Sequence, residues 1–65
     1  MPEPDNGLAI AEGRRREIFA ALVEAQDRKV PVAQSREDVA RRFGVSVAQV
    51  RAIEREGLDN AWPPL

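Results

Sequence analysis

A single glycine, Gly44, separates two short amphipathic runs, and no other feature limits so strongly what these 65 residues can fold into. Upstream, Val39 and Phe43 stand four apart and share one helix face. Ala40, between them, is small enough to let a second helix approach closely. Gly44 is suited to end that helix, because the terminating residue adopts a left-handed conformation that only glycine takes without strain. Val45 is apolar and can fill the gap between two crossing helices. Ser46 can cap the next helix through its hydroxyl. Val50 and Ile53, three apart, then supply the inner face of that helix. Two short helices joined by a tight, glycine-containing turn have the spacing of a helix-turn-helix, in which the second helix enters the major groove of DNA. An ordinary helical hairpin without a nucleic-acid role has the same outline.

The rest of the chain reads as support for this unit. Residues 1–7 contain Pro2, Pro4 and Gly7 and no apolar repeat, so a disordered tail is expected, with Asp5 or Asn6 as the cap of the first helix. Residues 8–28 read as that helix, with Ile18, Leu22 and Ala25 on one face and Phe19 and Val23 beside them. Gly13 weakens its first part, so a start near Arg14 is the other reading. Pro31 marks residues 29–34 as a connection, with Val30 and Val32 packing down to close the bottom of the domain. Ser35 is expected to cap a helix over 36–43, with Glu37 and Asp38 in its first turn. The third helix is expected over 47–56, stopped by Gly57, with Leu58 as the apolar contact just beyond. Residues 58–65 form a C-terminal tail in which Trp62 either folds back over the small core or stays exposed as an anchor for a partner protein. The expected fold is all-α, a three-helix domain over 8–65 whose core contains Ile18, Leu22, Val39, Ala40, Phe43, Val45, Val50 and Ile53.

Composition narrows the chemistry. The chain has neither Cys nor His, which removes disulfides, thiolate metal sites, the commonest metal ligand and the commonest general base. The acids are scattered on faces expected to be solvated, so no catalytic constellation, cofactor or metal site is expected, and the chain is not read as an enzyme. No apolar run approaches membrane-spanning length. The opening Met1-Pro2-Glu3-Pro4-Asp5 is the wrong chemistry for a secretory signal, and a cytoplasmic location, nucleoid-associated when bound, is expected.

Net charge is −1, but its distribution is uneven. Residues 36–55 carry Arg36, Arg41, Arg42, Arg51 and Arg55 against Glu37, Asp38 and Glu54. Nine of the ten basic residues are arginine, the side chain best shaped for bidentate contact with phosphate and guanine. A genome rich in GC codons produces the same bias. Arg14, Arg15 and Arg16 span about 200° of helix circumference, so they cannot all face one partner. They are read as a solvated face, with one or two phosphate contacts as the other reading.

Residues 35–58 resemble the DNA-binding helix-turn-helix of bacterial sigma factors, region four. The family's usual run is E-V-A-x-x-F-G-V-T, then I-R-Q-I-E and a Leu shortly after. Val39, Ala40, Phe43, Gly44, Val45, Ser46, Val50, Arg51, Ile53, Glu54 and Leu58 match it in identity or type. The resemblance implies a three-helix scaffold and a place in transcription regulation. Residues 1–34 show nothing of the rest of a sigma factor, and a complete sigma factor is not expected. Where the family places an Arg and a Glu that reach base edges, this chain has Val47 and Ala48, and the family's Gln before the Ile is Ala52. Arg51 is the family position retained on the outward face.

The residues facing out from the third helix are expected to be Ser46, Val47, Ala48, Gln49, Arg51, Ala52 and Arg55. Arg51 and Arg55, four apart, form one stripe. Arg pairs with guanine, Gln49 with adenine, and Val47, Ala48 and Ala52 offer methyl surface to thymine or permit close approach. Ser46 and the helix N-terminus suit a phosphate, and Arg41 and Arg42 complete the expected DNA-binding set. Surface ion pairs of Arg51 with Glu54 or Glu56 are the competing reading. The function expected is a sequence-specific transcriptional regulator that binds double-stranded DNA. Because one small unit covers few base pairs, a homodimer, RNA polymerase or a larger DNA-bound protein is the expected further partner. A protein-interaction module that keeps the scaffold without reading bases is the alternative.

Overall fold

Pro31 decides where the second helix begins. In the computed structural model, which describes residues 10–64, three helices follow one another: α1 (Glu12–Asp27), α2 (Val32–Phe43) and α3 (Val47–Asp59). The chain is all-α over these residues, with each helix packed on the other two. The expected tail over 1–7, its capping residues Asp5 and Asn6, and residues 8 and 9 of the first expected helix lie outside the described residues.

α1 starts at Glu12, later than residue 8, and its N-cap is Ala11, which supplies no side-chain hydrogen bond. It ends through Arg28 and a left-handed Lys29 (φ 67°), whose amides close back onto Glu24, Ala25 and Gln26. α2 begins at Val32, earlier than expected. Pro31 stands at its N-cap (φ −54°, ψ 143°), and its carbonyl accepts the Ser35 amide at 2.8 Å. Proline preorganises a helix start, and Val32, Ala33 and Gln34 offer no obstacle to continuing it. Ser35 is therefore inside the helix rather than capping it. Its hydroxyl is fully buried, donates to the Val32 carbonyl at 2.7 Å and accepts from the Gln26 amide at 3.4 Å. Val32, expected to close the bottom of the domain, is 48% exposed on the first turn of α2, while Val30 is half-buried.

The connection between α2 and α3 is Gly44-Val45-Ser46. Gly44 is left-handed (φ 68°, ψ 35°), and the Val45 amide reaches back to the Ala40 carbonyl at 3.0 Å, closing the end of α2. α3 runs past the expected stop at residue 56. Gly57 lies inside it, buried, and Asn60 terminates it, with its amide and its side chain both donating to the Glu56 carbonyl. Leu58, expected as a capping contact, is on the solvent side of the helix and 56% exposed.

The core joins Ile18, Phe19 and Leu22 of α1, Val39 and Ala40 of α2, Val50 and Ile53 of α3, and Trp62 from the tail. Phe43 and Val45 are at its edge, partly buried. Phe19 is the largest fully buried side chain. Trp62 has folded back: it is 5% exposed and meets Phe19 edge to face, with ring centroids 6.0 Å apart. Its amide donates to the Gly57 carbonyl at 3.0 Å. In this fold Trp62 is committed to the core and is not the exposed anchor of the other reading.

Candidate nucleic-acid interface

The first turn of α3 is built by reciprocal hydrogen bonds. The Ser46 hydroxyl accepts the Gln49 amide at 3.0 Å, and the Gln49 side-chain oxygen accepts the Ser46 amide at 2.9 Å. Two amides otherwise left open at a helix start are thereby satisfied. The box also holds Gln49: with Oε1 engaged, a two-point contact with adenine requires the box to open. Of the seven residues expected to face out, Val47, Ala48, Arg51, Ala52 and Arg55 are exposed, whereas Ser46 and Gln49 are half-buried because the box folds them onto the helix start.

Two of the three acids of α3, Glu54 and Glu56, pair with arginines of other helices, while Asp59 is exposed at its end. Glu54 receives Arg36 of α2 through Nε at 3.0 Å and Nη2 at 2.8 Å, both on Oε1, while its Oε2 accepts the Gln26 side chain of α1 at 3.3 Å. Glu56 forms a two-point pair with Arg15 of α1, Nε to Oε1 at 2.8 Å and Nη2 to Oε2 at 3.0 Å. Arg15 also donates through Nη1 to the Ile10 carbonyl at 2.6 Å. The hydrogen bond to Glu56 raises the Arg15 pKa from an already high value; burial opposes it, and the charges of Glu56 and then Glu12 add to it. The guanidinium is thus charged at any physiological pH. Arg15, expected on a solvated face with its neighbours, is instead buried.

In this arrangement neither Arg51 nor Arg55 is ion-paired among the described residues, although Glu54 and Asp59 line the same groove. Among the described residues no carboxylate lies within ion-pair distance of either, and the expected competing pairs of Arg51 with Glu54 or Glu56 are not formed. Arg51 and Arg55 line one shallow surface groove with Ala48, Ala52 and Leu58 and with the charged Arg36, Glu54 and Asp59. Arg41 and Arg42 end α2 immediately before the turn. Arg41 is exposed and only 4.0 Å from Asp38, and the Arg42 guanidinium rests 5.4 Å from the Phe43 ring centroid. Arg14 covers the same ring from α1 at 4.8 Å and pairs with Glu17, while Arg16 covers Trp62 at 5.0 Å and pairs with Glu12. The outer arginines of the Arg14–Arg16 triplet are thus exposed but engaged within the fold.

The partners that free Arg51 and Arg55 escape a reading of the sequence. Arg36 and Glu54 are 18 residues apart, and Arg15 and Glu56 are 41 apart, so no helical spacing relates them. The one local signal is that Arg36 and Glu54 both belong to faces adjoining apolar stripes, Val39–Ala40 and Val50–Ile53. Among the described residues no three His, Cys, Asp or Glu side chains are grouped to hold a metal ion, and no helix is long and apolar enough to cross a membrane. No family model matches the chain, and neither a curated protein nor a solved structure is found similar to it.

Proposed function

We propose that this protein is a DNA-binding transcriptional regulator whose α2–turn–α3 unit works as a helix-turn-helix, with α3 in the major groove. The observation that carries the reading is the charge arrangement on α3. Glu54 and Glu56 are neutralised by arginines of other helices, while Arg51 and Arg55 remain exposed without an acidic partner among the described residues. Unpaired, weakly hydrated guanidinium groups on one helix stripe are suited to phosphate oxygens and to guanine edges. Ala48 and Ala52 beside them keep the helix surface low enough for groove entry. Arg41 and Arg42 add phosphate contacts at the end of α2, and the capped start of α3 suits another phosphate. The likeness of residues 35–58 to sigma factor region four supports a role in transcription. Val47, Ala48 and Ala52 in place of that family's base-reading side chains point to a different target sequence. No catalytic role is assigned.

The exposed apolar residues favour a second reading. Val47 and Leu58, 39% and 56% exposed, lie at opposite ends of α3 and suit a protein partner such as RNA polymerase or a larger DNA-bound protein. A second copy of this chain is the other partner considered, since one unit reads few base pairs.

Titration with random-sequence duplex DNA at two salt concentrations, followed by backbone amide shifts, separates these readings. The DNA reading expects shifts concentrated over residues 41–55 and affinity that falls steeply with salt. Absence of salt-sensitive binding refutes it and leaves the interaction module.

A further inference from the structure

We infer that Arg36 is a positioning residue: by holding Glu54 against α2 and α1, it keeps that carboxylate off Arg51 and Arg55 and so keeps the cationic stripe of α3 available to a polyanion. The nucleic-acid part of this inference rests on the function proposed above; the charge-sorting part stands on geometry.

Glu54 is the acid nearest in sequence to Arg51, three residues after it, and is adjacent to Arg55, as Glu56 is; Asp59 follows Arg55 by four. The side chains of Glu54, Arg51 and Arg55 line the same groove. A carboxylate three residues from an arginine on a helix surface is within pairing reach, and such a pair would cancel one of the two charges offered to phosphate. The pair is absent, and Glu54 is engaged elsewhere. One oxygen accepts the Arg36 Nε–H at 3.0 Å and lies 2.8 Å from Nη2, and the other accepts Gln26 at 3.3 Å. Its side chain is only 16% exposed, against 29% for Arg36. The Arg36 pair is thus shielded from water, and the competing pair with Arg51 would have to form on the exposed surface, where ion pairs contribute little. The planar, always-charged guanidinium, with Nε–H bonded to Oε1 and Nη2 close beside it, sets the direction of Glu54 more firmly than the point charge of a lysine would. Gln26 is itself held by the buried Ser35 hydroxyl, so the restraint on Glu54 extends into all three helices.

Arg36 also lines the groove, so its removal alone does not distinguish positioning from direct contact. A double-substitution cycle does. Wild type, Arg36→Gln, Glu54→Gln and Arg36→Gln/Glu54→Gln are compared after circular dichroism and thermal melting have shown each to be folded. Two readouts are taken: affinity for a random-sequence duplex at low salt, and the Nε–H signals of Arg51 and Arg55 in the free protein. Arg36→Gln is expected to weaken DNA binding by roughly three- to tenfold, as loss of one phosphate contact does. It is also expected to slow hydrogen exchange at the Nε–H of Arg51 or Arg55 as the released Glu54 pairs with it. Adding Glu54→Gln removes the released acid and is expected to restore both readouts to within about twofold of wild type. If the double variant binds as poorly as Arg36→Gln, Arg36 touches DNA itself and the inference is overturned. If the guanidinium signals are the same in wild type and Arg36→Gln, Glu54 is not released onto the stripe and the inference is equally overturned. If those signals change and revert as expected but no variant binds duplex DNA, charge sorting stands and the DNA function fails.

Discussion

The Phe19 ring occupies the space in which a side chain on Gly57 would lie. A Cβ built at Gly57 would stand 2.6 Å from Phe19 Cγ and closer still to Cδ1 and Cε1. Gly57 is therefore a packing glycine within α3, and its carbonyl also receives the Trp62 amide, so one residue brings the central ring and the tail tryptophan together.

Gly57→Ala separates helix propensity from packing. In an exposed helix this change stabilises by about 1 kcal/mol. Here the methyl group must displace a fully buried ring, and a net loss of about 1–3 kcal/mol is expected. Urea denaturation measures it; a variant as stable as wild type would mean that Phe19 yields at little cost.

Gly44 makes the opposite case. No atom lies within 4 Å of a Cβ placed there, but its φ is +68°. The Cβ of Gly44→Val meets no neighbour beyond the adjacent residues, yet the change is expected to cost at least about 1 kcal/mol through backbone strain. Gly44→Asn, which tolerates the left-handed region, should lose less than the valine variant. Equal melting temperatures for glycine, asparagine and valine at this position would rule out backbone strain as the constraint.

The capping box at the start of α3 is expected to contribute about 0.5–2 kcal/mol, seen as the loss in Ser46→Ala. Ser46→Asp retains the acceptor and should recover most of that loss. A melting temperature indifferent to Ser46→Ala would show that α3 is held by its core face alone.

Arg15 ties α1 to α3 and to the chain before α1. Arg15→Ala leaves Glu56 without its two-point partner and frees the Ile10 carbonyl. Glu56 keeps about a quarter of its side chain exposed, so water compensates in part, and a loss of about 1–3 kcal/mol is expected rather than that of a fully buried pair. Chemical denaturation of Arg15→Ala and Arg15→Ala/Glu56→Gln tests this, because the second change should recover part of the loss if an unpaired acid is its cause.

The two exposed arginines of α3 are expected to differ in role. If Arg51 reaches a base, Arg51→Ala costs about 1–3 kcal/mol of binding and relaxes specificity at one position. If Arg55 meets phosphate, Arg55→Ala weakens every sequence alike and lowers the salt slope by about one. Equal duplex affinity for wild type and Arg51→Ala/Arg55→Ala at low salt would take α3 out of the interface.

The sequence by itself determined the features that act over a turn of chain. Gly44 ends α2 because it adopts the left-handed conformation there without strain, Ser46 starts α3 because its hydroxyl reaches the Gln49 amide, and Ile18, Leu22, Val39, Ala40, Val50 and Ile53 are inside because their spacing matches a helix. The exposed positions of Val47, Ala48, Arg51, Ala52 and Arg55 reflect the same period. Tertiary structure decided the rest. Whether Gly57 stops a helix or makes room within one depends on the ring of Phe19, 38 positions earlier in the chain. Whether Ser35 caps or is buried depends on Gln26 across the α1–α2 contact. Trp62 is in the core because Phe19 and Gly57 offer it an edge and a carbonyl. The candidate interface also depends on such distant contacts: Arg51 and Arg55 carry no ion pair among the described residues while Arg36 and Arg15, on other helices, hold Glu54 and Glu56. Local spacing names the groups on a helix face, but which opposite charges meet depends on how the helices pack.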